Sequence, residues 1–179
     1  MIIASNHNSH LDTVLIFAIL PTEVTIRARF AASGDYFSNI PIFSKFLFDF
    51  LDMVPIFRPN REQLTDKALA KPTPLETMSK VLDKGEVLVI YPEGTRGTPG
   101  ERSPLKPGVA RLALRYPNVP IYPVFIQGLD KALPKNSGLF IPLTPRIKVS
   151  KPIYSEGKDE KQILGEIEAA FAQMEMVLR

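Results

Sequence analysis

The 179-residue sequence contains no cysteine. Disulfide staples, thiolate metal sites and a cysteine nucleophile are thereby excluded, and a reducing compartment is compatible with the chain. Charge of one sign is also scarce. Lys and Arg total 22 against 19 Asp and Glu, a formal net charge of +3. That excess is too small to argue for nucleic acid, and no basic run or RNA-binding signature accompanies it. It fits an anionic substrate and an anionic membrane surface equally well. Long hydrophobic runs are missing too. The apolar stretch from Thr13 to Leu20 stops at Pro21, and roughly 20 apolar residues are needed to span a bilayer. Met1-Ile2-Ile3-Ala4-Ser5 has neither a basic n-region nor a cleavage site, so it reads as a strand and not as a signal peptide.

What is present suits one globular domain over residues 1–179, with 45% hydrophobic residues to build its core. A strand at 1–5 leads through Asn6-His7-Asn8 into a helix from Ser9 to about Ile19, with Ser9 and Asp12 spaced as a capping box. Val24 to Ala32 reads as a strand, Tyr36 to Leu51 as a helix and Met53 to Phe57 as a short strand. Thr73-Pro74-Leu75-Glu76 offers an N-cap, a proline at N1 and a glutamate at N3. Leu75, Met78, Val81 and Leu82 then form one stripe, and Gly85 ends the helix. Glu86 to Tyr91 is nearly all apolar, as a strand buried on both faces would be. A short helix from about Pro107 to Tyr116 precedes a buried strand, Ile121 to Gln127. Thr144 to Ser150 alternates like an edge strand. A last helix, about 158–179, carries Ile163, Ile167, Ala170, Phe171, Met174 and Leu178 on one stripe. Strands alternating with helices predict an α/β fold with a largely parallel central sheet flanked by helices.

The only two histidines, His7 and His10, sit where the first strand hands over to a helix. In open α/β sheets ligands bind beyond the carboxyl ends of the strands. Asp12 follows in the first helical turn, where its carboxylate would accept one imidazole N–H of His7, fix the tautomer and stabilise the cation, as a general base requires. A second cluster, Tyr91-Pro92-Glu93-Gly94-Thr95-Arg96, leaves the buried strand at 86–91. Gly94 lets backbone come close to a ligand, and Arg96 offers a planar fork suited to phosphate. Phe57-Arg58-Pro59-Asn60-Arg61 would bring another guanidinium to the same rim.

Asn6-His7-Asn8-Ser9-His10-Leu11-Asp12 fits the pattern N-H-x-S-x-x-D, and Pro92-Glu93-Gly94-Thr95-Arg96 fits P-E-G-T-R. In these segments, and in Ile56-Phe57-Arg58 and Val119-Pro120-Ile121-Tyr122-Pro123-Val124, the chain resembles the glycerophospholipid acyltransferase family in order and spacing over nearly its whole length. The resemblance implies His7 as general base and Asp12 as its orienting partner. It implies that Glu93, Gly94, Thr95 and Arg96, with Arg58, bind the phosphate end of an acceptor. It implies an acyl group moved from acyl-CoA or acyl-carrier protein to the hydroxyl of a glycerophospholipid precursor such as lysophosphatidic acid, with no cofactor and no metal. The expected place of work is the cytoplasmic face of a membrane, with peripheral attachment. Two features depart from the family. Arg58 follows Phe57 directly, which leaves open whether Arg58 or Arg61 takes the second-motif role. Only six residues precede His7, where family members commonly carry apolar helices, so attachment is expected to be peripheral or supplied by a further segment.

Other readings of the same residues stay open on sequence alone. Asp12 would serve as a plain helix cap with Ser9. Glu93 and Arg96 would serve as a surface ion pair. His7, His10 and Asp12 would suit a metal-dependent hydrolase, although a catalytic zinc needs further ligands. A phospholipid-binding domain of the same fold without turnover would keep the phosphate site alone.

Overall fold

The computed structural model describes residues 1–9, 11–33, 53–57, 72–95, 103–129 and 144–178. The expected helix at Tyr36–Leu51 lies outside the described residues, as do His10, Arg58, Arg61 and Arg96.

The chain opens with β1 (Ile2–Ser5), whose four residues are all buried, and passes into α1 (Leu11–Ile19). A single helical turn, α2 (Thr22–Thr25), precedes β2 (Ala28–Ser33). The strand expected from Val24 therefore begins four residues later. Pro21 caps the turn, its carbonyl accepts the amides of Val24 and Thr25, and the Thr25 hydroxyl donates back to the carbonyls of Leu20 and Pro21. Those local bonds outweigh the β-propensity of Val24 and Thr25. After β3 (Met53–Ile56) comes α3 (Pro74–Asp83). Its capping box is complete: the Thr73 hydroxyl accepts from the Glu76 amide at 3.2 Å, and the Thr73 amide donates to the Glu76 carboxylate at 2.7 Å. Beyond the helix Gly85 takes φ +69°, the left-handed conformation that glycine adopts without a Cβ clash. β4 (Val87–Ile90), α4 (Gly108–Arg115), β5 (Ile121–Gln127) and β6 (Arg146–Val149) follow. The last element, α5 (Glu160–Leu178), opens on a second reciprocal pair, in which Asp159 and Gln162 each accept the other's amide at 2.8 Å.

The strands lie in the order β3-β2-β4-β1-β5-β6. All pairs are parallel except β5–β6, so the alternating segment at 144–150 is indeed an edge strand, paired antiparallel. β4 is buried at every position because it lies between β2 and β1 and has helices over its face. One apolar layer joins Ile2, Ala4, Leu88 and Ile90 to Met78, Leu112, Ile163 and Phe171 of α3, α4 and α5. The opposite layer joins Ile3, Phe30, Val89 and Ile126 to Ile16 of α1.

This arrangement follows from chirality. Parallel crossovers are right-handed. The path from β1 through α1 to β2 runs one way along the sheet, and the path from β4 through α4 to β5 runs the other way. With one hand and opposite directions, α1 and α4 must cover opposite faces. β1 and β4 are neighbours whose chains diverge, and a crevice opens at their carboxyl ends.

Asn6 closes the floor of that crevice. Its side chain is buried, donates to the Ile126 carbonyl at 2.8 Å and accepts the Ile126 amide at 2.7 Å. It thus continues the β1–β5 pairing one step beyond Ser5 and Val124. Asn6→Ala strands both backbone groups of Ile126 away from water. We expect a loss of about 2–4 kcal/mol in unfolding free energy, at about 1–3 for each group left unsatisfied, measured by urea denaturation of the two chains.

Candidate active site

Two loops meet at the ends of β1 and β4. The first, residues 6–9, turns sharply into α1. Asp12, 1% exposed in the first turn of α1, reaches back beneath it. One carboxylate oxygen, Oδ2, accepts the amides of Asn8 and Ser9, both at 2.8 Å, and faces His7 Nδ1 at 3.0 Å. Asp12 thus holds the loop before α1 and contacts His7 through the same oxygen. An ionised carboxylate only accepts. With Oδ2 accepting, Nδ1 is assigned the N–H of this pair, and in the neutral ring that assignment places the lone pair on Nε2. The His7 side chain is 19% exposed, so the ring is held from within and still reachable from outside.

The second loop leaves β4 at Tyr91. The Gly94 amide donates to the Tyr91 carbonyl at 2.9 Å, and Gly94 takes φ +74°, which closes a tight turn over Pro92 and Glu93. The turn points Glu93 inward. Its residue is 3% exposed, and Oε1 accepts the backbone amide of His7 at 3.2 Å. The Ser103 amide also donates to this carboxylate. Oε2 has no hydrogen-bond partner among the described residues. Burial pushes the Glu93 carboxyl above the usual range; the His7 and Ser103 amides and nearby His7 pull it down, and Asp12 adds to the rise.

Tyr91 completes the setting. Its ring stacks on the His7 imidazole with centroids 4.0 Å apart and planes 20° from parallel. Its hydroxyl meets the Thr13 hydroxyl at 2.8 Å. Burial pushes the phenol well up, so it stays neutral.

The expected pair His7 and Asp12 and the expected loop residues Glu93, Gly94 and Thr95 are thus brought together at neighbouring strand ends. Thr95 is exposed and Gly94 half-buried, whereas Glu93 is buried, with Oε1 on the His7 amide and Oε2 without a partner among the described residues. Arg58 and Arg96, expected to hold phosphate, fall outside the described residues. Among the described residues no group of three or more His, Asp or Glu side chains could hold a metal ion. In the hydrolase reading His7, His10 and Asp12 would be the ligands, and His10 lies outside the described residues. Asn6 and Tyr91 stand in the two motif segments without an expected role, and Thr13 is not expected at the site at all. An asparagine in a turn and a tyrosine at a strand end carry no signal of the partners they find across the sheet.

A model of the family described as Acyltransferase matches residues 1–127, from β1 through β5 and across both loops. The chain belongs to the acyltransferase family. Among curated relatives, a chloroplastic 1-acyl-sn-glycerol-3-phosphate acyltransferase of Brassica napus is 28% identical over 87% of this chain and 41% of its own length. A 1-acyl-sn-glycerol-3-phosphate acyltransferase of Bacillus subtilis is 29% identical over 71% of this chain and 55% of its own length. The chain therefore spans about half, or less, of the length of these relatives. The same fold is found in the crystal structure of the 1-acyl-sn-glycerophosphate (LPA) acyltransferase PlsC of Thermotoga maritima. The TM-score is 0.76 at 23% identity, covering all of this chain and 67% of that one.

The buried carboxyl of Glu93 has a measurable signature. Its folded pKa is raised, so between the ordinary carboxyl value and the folded one the native state binds more protons than the unfolded state. Stability drawn from that proton is present below the unfolded pKa and is lost as pH rises through the folded one. Glu93→Gln keeps an acceptor and removes the titration. The stability of the variant relative to the parent should rise with pH from about 4.5 upward, read from denaturation midpoints across that range.

Proposed function

We propose that this domain is an O-acyltransferase that moves a fatty-acyl group from a thioester carrier to the free hydroxyl of lysophosphatidic acid. The observation that carries the reading is the 3.0 Å contact between His7 Nδ1 and the buried Asp12 carboxylate at the mouth of the β1–β4 crevice. Family membership supports the class of reaction, and the names of the relatives support the acceptor.

The chemistry follows from the tautomer. His7 Nε2 takes the proton of the acceptor hydroxyl as its oxygen attacks the thioester carbonyl. Asp12 holds the imidazolium that forms. When the tetrahedral intermediate collapses, the carbon–sulfur bond breaks and the imidazolium returns its proton to the departing thiolate. The thioester is already activated, so no covalent enzyme intermediate is needed. Acyl-CoA and acyl-carrier protein both satisfy this scheme as donors. Gly94, Thr95 and Arg96, with Arg58, are assigned to the acceptor's phosphate, for which paired guanidinium forks are well shaped.

The decisive experiment is a mass-spectrometric transfer assay with both donor types against lysophosphatidic acid, glycerol 3-phosphate and other lysophospholipids. His7→Ala should abolish transfer while the chain stays folded. Asp12→Asn should lower kcat by roughly two to four powers of ten while substrate binding survives. Transfer to no acceptor by the parent chain, with lysophospholipid still bound, would instead identify a non-catalytic lipid-binding domain.

An amphiphilic acceptor implies work at a bilayer surface. Among the described residues no helix is long and apolar enough to cross a membrane. α1, which starts at the site, is apolar nearly all round and leaves Val14 and Ile19 40% and 45% exposed, and Ile26 beyond it is 69% exposed. We assign these exposed apolar side chains to peripheral contact with the cytoplasmic leaflet, helped by the positive net charge. The chain should sediment with anionic vesicles, and less so as salt shortens the screening length below about 8 Å. Ile19→Asp with Ile26→Asp should release it. Equal, salt-insensitive partition into neutral vesicles would contradict the electrostatic part.

A further inference from the structure

We propose that Tyr91 is a positioning residue for the His7 base, setting the tilt of its ring from β4 while Asp12 sets its direction from α1. The proposal rests on the acyltransferase reading for its consequence and on geometry alone for its substance. A single hydrogen bond through Nδ1 fixes where that N–H points. It does not fix rotation of the imidazole about the bond, and that rotation decides where the Nε2 lone pair is aimed. A flat partner lying 4.0 Å away and 20° from parallel removes the freedom.

The phenol is itself fixed. Its hydroxyl meets Thr13 Oγ1 at 2.8 Å, and Thr13 is the next residue after Asp12 on α1. Both restraints on His7 thus return to adjacent positions of one helical turn. Its ring face is electron-rich, so the stack gains strength when His7 becomes cationic, the moment at which the acceptor oxygen has given up its proton. A phenylalanine would supply the face without the latch. A leucine would supply neither.

The test compares Tyr91→Leu, Tyr91→Phe, Thr13→Val and the double variant Thr13→Val with Tyr91→Phe. We expect Tyr91→Leu to lower kcat about ten- to a hundredfold, the scale of a small misplacement of a catalytic group. The KM for donor and acceptor should each stay within about twofold, because a misaimed base harms the transition state and not ground-state binding. Tyr91→Phe and Thr13→Val should each lower kcat about three- to tenfold, as for one ordinary hydrogen bond. The double variant should be no worse than either alone, because both remove the same bond.

A second readout needs no activity. In proton NMR the carbon-bound ring protons of His7, shielded by the stacked phenol, should move downfield in Tyr91→Leu and stay near the parent's positions in Tyr91→Phe. Unmoved His7 resonances in Tyr91→Leu overturn the proposal, as does a lowered melting temperature with kcat unchanged. If Tyr91→Leu does not fold, additive losses in the double variant overturn it equally. A parent chain without transferase activity would sink the functional reading, and the NMR comparison would still decide whether Tyr91 orders the ring.

Discussion

A single oxygen atom organises this site. Asp12 Oδ2 gathers the amides of Asn8 and Ser9 and the imidazole Nδ1 of His7 within 3.0 Å. Taking a carboxylate out of water costs several kcal/mol unless donors replace the lost hydration. Three donors on one oxygen supply that replacement, and two of them are backbone amides of the loop that leads into α1. The favourable placement of an anion at a helix N-terminus and the orientation of the His7 ring thus come from the same atom. Moving the carboxylate would strip the Asn8 and Ser9 amides of their acceptor, so Asp12 holds the loop that carries His7 as well as the ring itself.

The sheet decides what the oxygen can reach. Parallel pairing of β1 with β4 puts Ala4 beside Ile90, so the two chains leave the sheet at the same level. From there one turns toward α1 and the other toward α4 on the opposite face. The Glu93 carboxylate crosses the gap to the His7 amide, and the Asn6 side chain ties the other flank to Ile126. The histidine loop is therefore clamped from both neighbouring strands of β1. Any strand order that separated β1 from β4 would leave Glu93 far from His7.

Much of this was legible in the sequence where local rules are strong. The Thr73–Glu76 box, Gly85 and the apolar run of β4 each involve residues close in sequence, and each appears where it was expected. The His7–Asp12 contact spans five positions, from the loop after β1 to the first turn of α1. The start of β2 was misplaced because Val24 and Thr25 have β-propensity, while the Pro21 cap and the Thr25 back-bonds favour a helical turn. The inward turn of Glu93 was hidden because a charged residue after an apolar strand reads as a rim. Only the tight turn closed by Gly94 reverses it. The partners of Asn6 and Tyr91 lie 120 and 78 positions away. Nothing in a periodicity announces such a pairing, because it depends on a strand order that alternating elements do not specify.

The distribution of buried polarity separates function from folding. The buried polar or charged residues among those described are Ser5, Asn6, Ser9, Asp12, Thr13, Ser79, Glu93 and Ser155. All but Ser79 and Ser155 gather at the carboxyl ends of β1 and β4. A core built only for stability would fill such positions with apolar side chains, each gaining roughly 1.5–3 kcal/mol on burial. Here Asp12 Oδ1 and Glu93 Oε2 lie buried without a hydrogen-bond partner among the described residues, as does Ser79 Oγ on α3, a state that costs free energy. Ser155, at the other side of the sheet, shows the contrast: its hydroxyl is satisfied by the Ala113 carbonyl at 2.7 Å and braces α4. Two incompletely satisfied carboxylates beside one imidazole are poor packing and good chemistry. They mark the ends of β1 and β4 as a place where buried polar groups are kept against the stability of the fold that holds them.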